Sequence, residues 1–152
     1  MDENKVIDFI SKINRLFRLE WFEYNPLELD IYDQEKEIEN MFKNGNCAIY
    51  AELLYDLLKN NGAVVGKSND HVFIKLFDRY YDIASGFRDN KEELQESVDK
   101  YGFDSYNLED ENDREKFEDY KQNTGINKNV ESLLNTIKED ILKPEDFSPG
   151  SK

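Results

Sequence analysis

The sequence predicts an α+β fold in which one buried helix packs on a small antiparallel sheet, with additional helices at both ends. Apolar residues recur at helical spacing in several segments, whereas residues 63–84 are rich in β-branched and aromatic residues, as strands are. A length of 152 residues suits one core better than two. We therefore predict a single domain over residues 1–143, followed by a flexible tail over residues 144–152.

The first forty residues predict two helices separated by an irregular stretch. Residues 5–18 carry apolar side chains on one helical face, which predicts a helix docked on the core. Residues 19–29 are aromatic and interrupted by proline, and they predict an irregular packed segment. Residues 33–42 predict a short helix. The aromatic candidates for the core are Trp21 and Phe22.

The next segment predicts a turn and then the buried helix. Gly45 can adopt the positive φ that a turn requires, and Asn46 is a favourable N-cap. From Cys47 to Leu58 the apolar residues form a wide stripe, which is typical of a buried helix. Gly62 is suited to the position beyond the helix end.

The second half predicts strands followed by helices. Residues 63–84 predict two or three antiparallel strands. Asn90 and Glu93 have the spacing of a capping pair, which predicts a helix ending before Gly102. Residues 130–141 predict the last helix.

The chemistry-bearing residues of the sequence are concentrated in the central segment. Cys47, the only cysteine, opens a helix, and His71, the only histidine, opens a strand. Asp82 follows on the next strand. A helix N-terminus carries roughly half a positive charge, which together with an imidazole favours thiolate. A carboxylate can hold that imidazole in its working tautomer, so the three residues predict a nucleophilic site.

The hairpin register decides whether His71 and Asp82 can meet, and the sequence leaves two registers open. A turn at residues 78–79 places the two side chains too far apart. A turn at residues 77–78 makes them diagonal neighbours at about 7 Å between Cβ atoms. Asp70, directly before His71, points to the other face and is a poorer partner.

These motifs resemble those of a known enzyme superfamily. Residues 45–47 open a helix, His71 opens a strand, and residues 80–82 follow with Gly86 beyond. Their order is similar to that of the transglutaminase-like branch of the papain-fold cysteine enzymes. The resemblance implies a papain/transglutaminase-like core. It also implies acyl-enzyme chemistry on amides or esters, namely peptide hydrolysis, deamidation or transamidation of a protein or peptide substrate.

The resemblance also implies a role for each residue of the set. Cys47 is the expected nucleophile, His71 the expected general base and acid, and Asp82 the expected orienting residue. The oxyanion donor is open: the Cys47 backbone N–H is one candidate. Side-chain amides are the other candidates, at Gln34, Asn44 and Asn46. The competing structural interpretation is that Cys47 is a small buried hydrophobe.

Composition excludes several other classes of function. The formal net charge of −14 repels nucleic-acid backbones. One Cys and one His are too few for a soft-ligand zinc site, so we expect no metal and no cofactor. A single Cys, the lack of a signal-peptide pattern and the lack of a long apolar run predict a cytoplasmic protein without membrane contact, in the host cytosol if a phage encodes it. The oligomeric state is left open.

The acidity supports a second hypothesis from a different class. Residues 86–152 contain 18 acidic and 10 basic residues. Residues 108–119 are particularly acidic, and an exposed surface is the default interpretation of that stretch and of Glu52 and Asp56. The alternative function is a non-enzymatic inhibitor that blocks a basic site on a partner such as a defence nuclease. The residues assigned to such binding are Glu109, Asp110, Glu111 and Asp113.

Overall fold

The computed structural model describes residues 2–23, 29–43 and 45–142, and the α+β class is confirmed within them. The helices are α1 (Glu3–Glu23), α2 (Ile31–Lys43), α3 (Cys47–Leu58), α4 (Lys91–Tyr101), α5 (Glu111–Asn123) and α6 (Lys128–Leu142). The strands are β1 (Val64–Ser68), β2 (His71–Leu76), β3 (Arg79–Tyr81) and β4 (Asp104–Tyr106).

The four strands form one antiparallel sheet in the order β3-β2-β1-β4. Phe77 and Asp78 connect β2 to β3 with φ of 52° and 63°, the signature of a two-residue turn whose twist suits a hairpin. Ile74 pairs with Tyr81, so Asp82 continues the strand opposite residue 73. Of the two registers that the sequence left open, the turn at residues 77–78 is therefore correct.

The two faces of the sheet are covered differently. On one face, Val72, Ile74 and Leu76 join the main core, and α3 packs against β2 there. On the other face, Phe73 contacts the rings of Tyr80 and Phe103, which lie near α4. Helices α1 and α6 pack on one another, and α6 also contacts α3. The Cys47 helix is thus enclosed between sheet and helices.

Helix α1 extends beyond its predicted end. Residues 19–23 are helical, so the expectation of an irregular segment is wrong there, and residues 24–28 lie outside the described residues. The helix continues because its apolar face continues: the Trp21 ring stacks on Phe17 at 5.6 Å between centroids, and Phe22 is buried. The prediction that Trp21 and Phe22 contribute to the core is confirmed.

Three further elements differ from the sequence predictions. The third strand ends at Tyr81, and a 3-10 turn, Ile83–Gly86, replaces its expected continuation. Strand β4 and helix α5 were not predicted. Helix α5 was missed because the acidic residues 108–119 offer few apolar positions. The expected tail over residues 144–152 lies outside the described residues. No helix in the described part of the chain is long and apolar enough to cross a bilayer.

Candidate active site

Cys47 is the first residue of α3 and follows a tight turn. Gly45 adopts φ of +95°, and a Cβ there would lie 1.9 Å from the backbone oxygen of Thr124. Glycine is therefore required both by the backbone conformation and by the close approach. The Thr124 hydroxyl donates to the Gly45 carbonyl at 3.2 Å. The turn that presents Cys47 is consequently fixed against the end of α5.

Asn46 occupies the N-cap position of α3, as predicted, but its side chain does not cap the helix. Its Nδ2 donates to the Met41 carbonyl at 2.9 Å, and its Oδ1 accepts from the backbone N–H of Asn127 at 3.0 Å. The predicted capping bond is wrong because two longer-range contacts use the same amide. Asn46 therefore joins α2, the Cys47 turn and the segment before α6.

His71 and Asp82 meet at hydrogen-bonding distance. The Nε2–H of His71 donates to Asp82 Oδ2 at 2.8 Å, and Asn90 Nδ2 donates to Asp82 Oδ1 at 2.7 Å. Both carboxylate oxygens are therefore occupied by donors. With Nε2 bound to Asp82, Nδ1 is the imidazole nitrogen that remains for Cys47. A Cys-His-Asp set needs one imidazole nitrogen on the carboxylate and the other available to the thiol.

A second hydrogen-bonded layer behind Asp82 was missed by the sequence interpretation. Ser85 Oγ accepts from the Asp82 backbone N–H at 3.0 Å and donates to Asn90 Oδ1 at 2.8 Å. Asn90 and Ser85 are both buried. The predicted Asn90–Glu93 capping pair is wrong: Asn90 starts α4 without a side-chain cap, and Glu93 binds Arg88 instead.

The charges at the site perturb the pKa values of both partners. Burial acts to lower the pKa of His71, but the interactions with Asp82 and Cys47 outweigh it and raise that pKa to about 9. Burial acts to raise the pKa of Asp82, but His71 and then Asn90 bring it below its usual value. At neutral pH the imidazolium–carboxylate pair is therefore the stable form.

Asn14 of helix α1 hydrogen-bonds to two residues that line the site. The Tyr50 hydroxyl donates to Asn14 Oδ1 at 2.6 Å, and Asn14 Nδ2 donates to the Ile83 carbonyl at 2.7 Å. Burial, and then the charge of Asp82, raise the pKa of Tyr50 well above 10.0. This chain of bonds ties α3 to the 3-10 turn that follows Asp82.

Two adjoining cavities flank the imidazole. The inner one, lined in part by Cys47 and Tyr50, has a volume of about 10 Å³, roughly the space of one water. The outer one is about 370 Å³ and is lined by polar side chains that include Asp70 and Asn90. Cys47 is only 5% exposed. Residues that line both cavities form the partition between them: Phe42, His71, Asp82 and Ile83.

Two of the three amide candidates for the oxyanion site, Asn46 and Gln34, lie among the described residues. Asn46 donates to Met41, as described above. Gln34 donates to the Leu29 carbonyl at 3.2 Å and lines neither cavity next to His71. Asn44 lies outside the described residues. The two described side-chain candidates therefore make contacts within the fold.

The helix carboxylates assigned to a solvated face are partly buried and paired. Glu52 binds Arg114 at 2.5 Å and Lys121 at 2.6 Å, and Asp56 binds Lys138 at 3.2 Å. The solvated interpretation is wrong because Glu52 pairs with basic residues of α5, which was not predicted, and Asp56 pairs with a lysine of α6. Among the described residues, no group of three or more His, Cys, Asp or Glu side chains could hold a metal ion.

The acidic residues assigned to partner binding lie at the start of α5. Glu109 accepts from the Tyr55 hydroxyl at 2.7 Å, and Asp110 caps α5 by accepting from the Asp113 backbone N–H at 3.1 Å. Asp113 in turn accepts from the Asn107 backbone N–H at 2.8 Å. Glu111 is exposed in the first turn. Three of the four acidic residues therefore also stabilise the local fold.

A family model described as Phage YunG-like protein matches residues 27–122, which is well over half of the chain. The chain belongs to this family. The match includes Cys47, His71 and Asp82 and ends before Thr124. No curated protein and no solved structure matches the chain significantly.

The family match corrects the interpretation drawn from the short motifs. The assignment to the transglutaminase-like and papain-like superfamily is wrong, since the matching family is the Phage YunG-like one. The resemblance rested on three short segments, each common in unrelated proteins, which together covered under a third of the chain. A cysteine before a helix and a histidine before a strand can arise on many folds, so they do not identify a superfamily.

Proposed function

We propose that the protein is a cysteine-dependent acyl-transfer enzyme that acts on an amide or ester of a protein or peptide. The observation that carries the proposal is the position of His71 between an acid and a thiol. Its Nε2 binds Asp82 at 2.8 Å, and it shares the inner cavity and an electrostatic interaction with Cys47. Peptide hydrolysis, deamidation and transamidation all use this arrangement.

The proposed reaction assigns one step to each side chain. The Cys47 thiolate attacks the carbonyl carbon, a C–S bond forms, and the carbonyl π electrons move to oxygen. When the tetrahedral intermediate collapses, His71 donates its proton to the leaving amine, and a thioester remains. His71 then removes a proton from water or from an attacking amine, which releases the acyl group. A pKa near 9 keeps His71 protonated before the first proton donation.

Asn90 and Ser85 support the proposal because they hold Asp82 in position. Asp82 is held through Oδ1 by Asn90 and through its backbone N–H by Ser85. With both carboxylate oxygens bound, Asp82 has little freedom to turn away from His71. Buried polar groups of this kind are costly unless fully hydrogen-bonded, and these are paired around a single carboxylate.

The outer cavity is the proposed entrance for the substrate. It is large enough for a side chain or a short peptide segment, and it adjoins the inner cavity through the partition formed by Phe42, His71, Asp82 and Ile83. Because Cys47 is buried, the acyl group must displace part of this partition to reach sulfur. Local opening of this size is common at ligand sites.

The experiment follows the release of p-nitrophenolate from p-nitrophenyl acetate by the purified protein, with N-acetylcysteine as the reference thiol. We expect faster acylation of Cys47 than of the reference, no release by Cys47→Ala above background, and a marked loss in His71→Gln. Thermal melting of each variant verifies its fold. A Cys47 that reacts no faster than the reference, or only after unfolding, would refute the enzyme and identify Cys47 as a structural residue.

The second candidate is an acidic inhibitor of a basic partner, and the exposure of Glu109, Asp110 and Glu111 at the start of α5 supports it. Its test uses Glu111→Lys with Glu115→Lys, because both side chains are exposed and the local hydrogen bonds of Asp110 and Asp113 are kept. The immobilised protein should retain a cationic partner from a bacterial lysate at low salt, and the double variant should lose it. Retention that is independent of salt or of the reversal contradicts this candidate.

A further inference from the structure

The C-terminal end of helix α5 contacts the segments that precede Cys47 and His71. Thr124 directly follows α5 and lies four residues after Tyr120, so the two side chains lie on the same side of the helix end. Thr124 binds the carbonyl of Gly45, two residues before Cys47. The Tyr120 hydroxyl donates to the carbonyl of Asp70, the residue directly before His71, at 3.2 Å. This end of α5 therefore hydrogen-bonds to the backbone just before Cys47 and just before His71.

The Tyr120 hydroxyl is a protonated donor in the electric field of the thiol. Burial, followed by the negative charges of Cys47 and Asp70, raises the pKa of Tyr120 to about 12. The phenol therefore retains its proton at neutral pH. Lys67 Nζ lies 4.8 Å from the centre of the ring, a contact that positions the ring independently of its hydroxyl.

We propose that Tyr120 is an oxyanion donor of the acyl-transfer reaction, an inference that rests on the proposed function. When Cys47 Sγ bonds to the carbonyl carbon, the π electrons move to oxygen, and the Tyr120 hydroxyl donates a hydrogen bond to that oxygen without transferring its proton. Collapse returns the electrons to the carbonyl and expels the leaving group. The hydroxyl then returns to the Asp70 carbonyl.

The resting hydrogen bond of Tyr120 is suited to such an exchange. At 3.2 Å it is longer than the usual 2.7–2.8 Å of an O–H···O bond, so replacing it by a bond to a charged oxygen is favourable. The amides of Asn46 and Gln34 already donate to the backbone carbonyls of Met41 and Leu29. Tyr120 donates to the residue directly before His71, and the helix that carries it ends against the Cys47 turn.

The test compares two reactions of the same thiol in Tyr120→Phe. Acylation by p-nitrophenyl acetate passes through an oxyanion, whereas alkylation by iodoacetamide displaces iodide at a saturated carbon and forms none. We expect the acylation rate to fall roughly 100-fold, the loss typical for one oxyanion donor, while the alkylation rate stays unchanged. The variant keeps the ring on Lys67 and loses one long hydrogen bond, so its fold is retained.

Tyr55→Phe is the matched control. It also removes a tyrosine hydroxyl bond, to Glu109 at 2.7 Å, but eight residues along α3 from Cys47, or about 12 Å. The acylation and alkylation rates of Tyr55→Phe should both match those of the parent protein. An equal fall in both rates of Tyr120→Phe would make Tyr120 a positioning residue, and no fall would remove it from the reaction; either result overturns the proposal. Acylation that persists in Cys47→Ala refutes the enzyme itself, independently of Tyr120.

Discussion

Replacing Asp82 by asparagine should change the titration of His71, because the acid is a main reason for its raised pKa. The value of about 9, against 6.5 for a free histidine, reflects Asp82 and Cys47 acting against burial. At about 1.4 kcal/mol per pH unit, the difference amounts to roughly 3 kcal/mol in favour of the imidazolium. The His71 side chain is 32% exposed, so solvent screening reduces this to about 1–2 kcal/mol.

The assay is proton NMR of the imidazole, which is unambiguous because the chain contains one histidine. We expect the wild-type midpoint near pH 9. In Asp82→Asn the neutral amide can still hydrogen-bond to the ring but no longer stabilises its charge, so the midpoint should fall by about one pH unit or more. Cys47→Ala should lower it as well, since Cys47 also raises the pKa of His71.

The same pair predicts a pH dependence of stability. A histidine whose pKa is higher in the folded than in the unfolded state stabilises the fold fully below pH 6.5 and loses that effect as the pH rises through about 9. Urea unfolding at pH 6 and pH 9.5 should therefore show a loss of about 1–2 kcal/mol in wild type and a smaller loss in Asp82→Asn. A wild-type midpoint near 6.5 with equal losses in both proteins would refute the electrostatic argument.

Three further substitutions test the framework around the site. Asn90→Ala leaves Asp82 Oδ1 without its donor, so we expect a loss of about 1–3 kcal/mol in urea unfolding together with slower acylation. Gly45→Ala should destabilise the protein more than Gly62→Ala. Both positions have positive φ, but of the two only Gly45 has another atom where a Cβ would lie. Equal melting temperatures of the two variants would contradict this. Lys121→Met leaves Glu52 with one basic partner fewer, which should lower the free energy of unfolding in urea by about 3 kcal/mol. Adding Glu52→Gln should restore part of that loss. If it restores none, lost packing is the cause.

Cys47 and His71 could be proposed as reactive residues from the sequence because of their number and their positions. Cys47 and His71 are the only residues of their types, and each begins a regular element. Their encounter with Asp82, however, depends on the hairpin register. That register uses positive φ at Phe77 and Asp78, which side chains other than glycine adopt infrequently, so the sequence did not distinguish it from its neighbour.

The supporting residues could not be predicted because their roles are set by distant contacts. Asn46 and Asn90 both stand at helix starts, where local statistics favour capping. Their amides are used instead by Asn127 and by Asp82, contacts that exist only in the assembled fold. Local patterns correctly placed the starts of α3 and α4 but not the direction of these side chains.

The sequence did not predict helix α5 because its composition lacks a helical apolar pattern. Its buried residues are Phe117 and Lys121, and a lysine is an uncommon core residue, so the usual apolar period is absent. Tyr120 was missed for the same reason. Glu52 of α3 pairs with Lys121 and Arg114 of this helix. Charge pairing of this kind leaves no period in the sequence that hydrophobic patterns can detect.

The attachment of the Cys47 turn to Thr124 and Asn127 has a consequence for synthesis of the chain. These bonds join residues 79 and 81 positions apart, and a growing polypeptide emerges from its N-terminus. Cys47 and His71 are therefore synthesised well before the residues that fix the turn. The Cys47 turn is fixed only after Asn127 has been synthesised, so a nascent chain that ends before Thr124 carries a cysteine whose turn lacks both of these bonds.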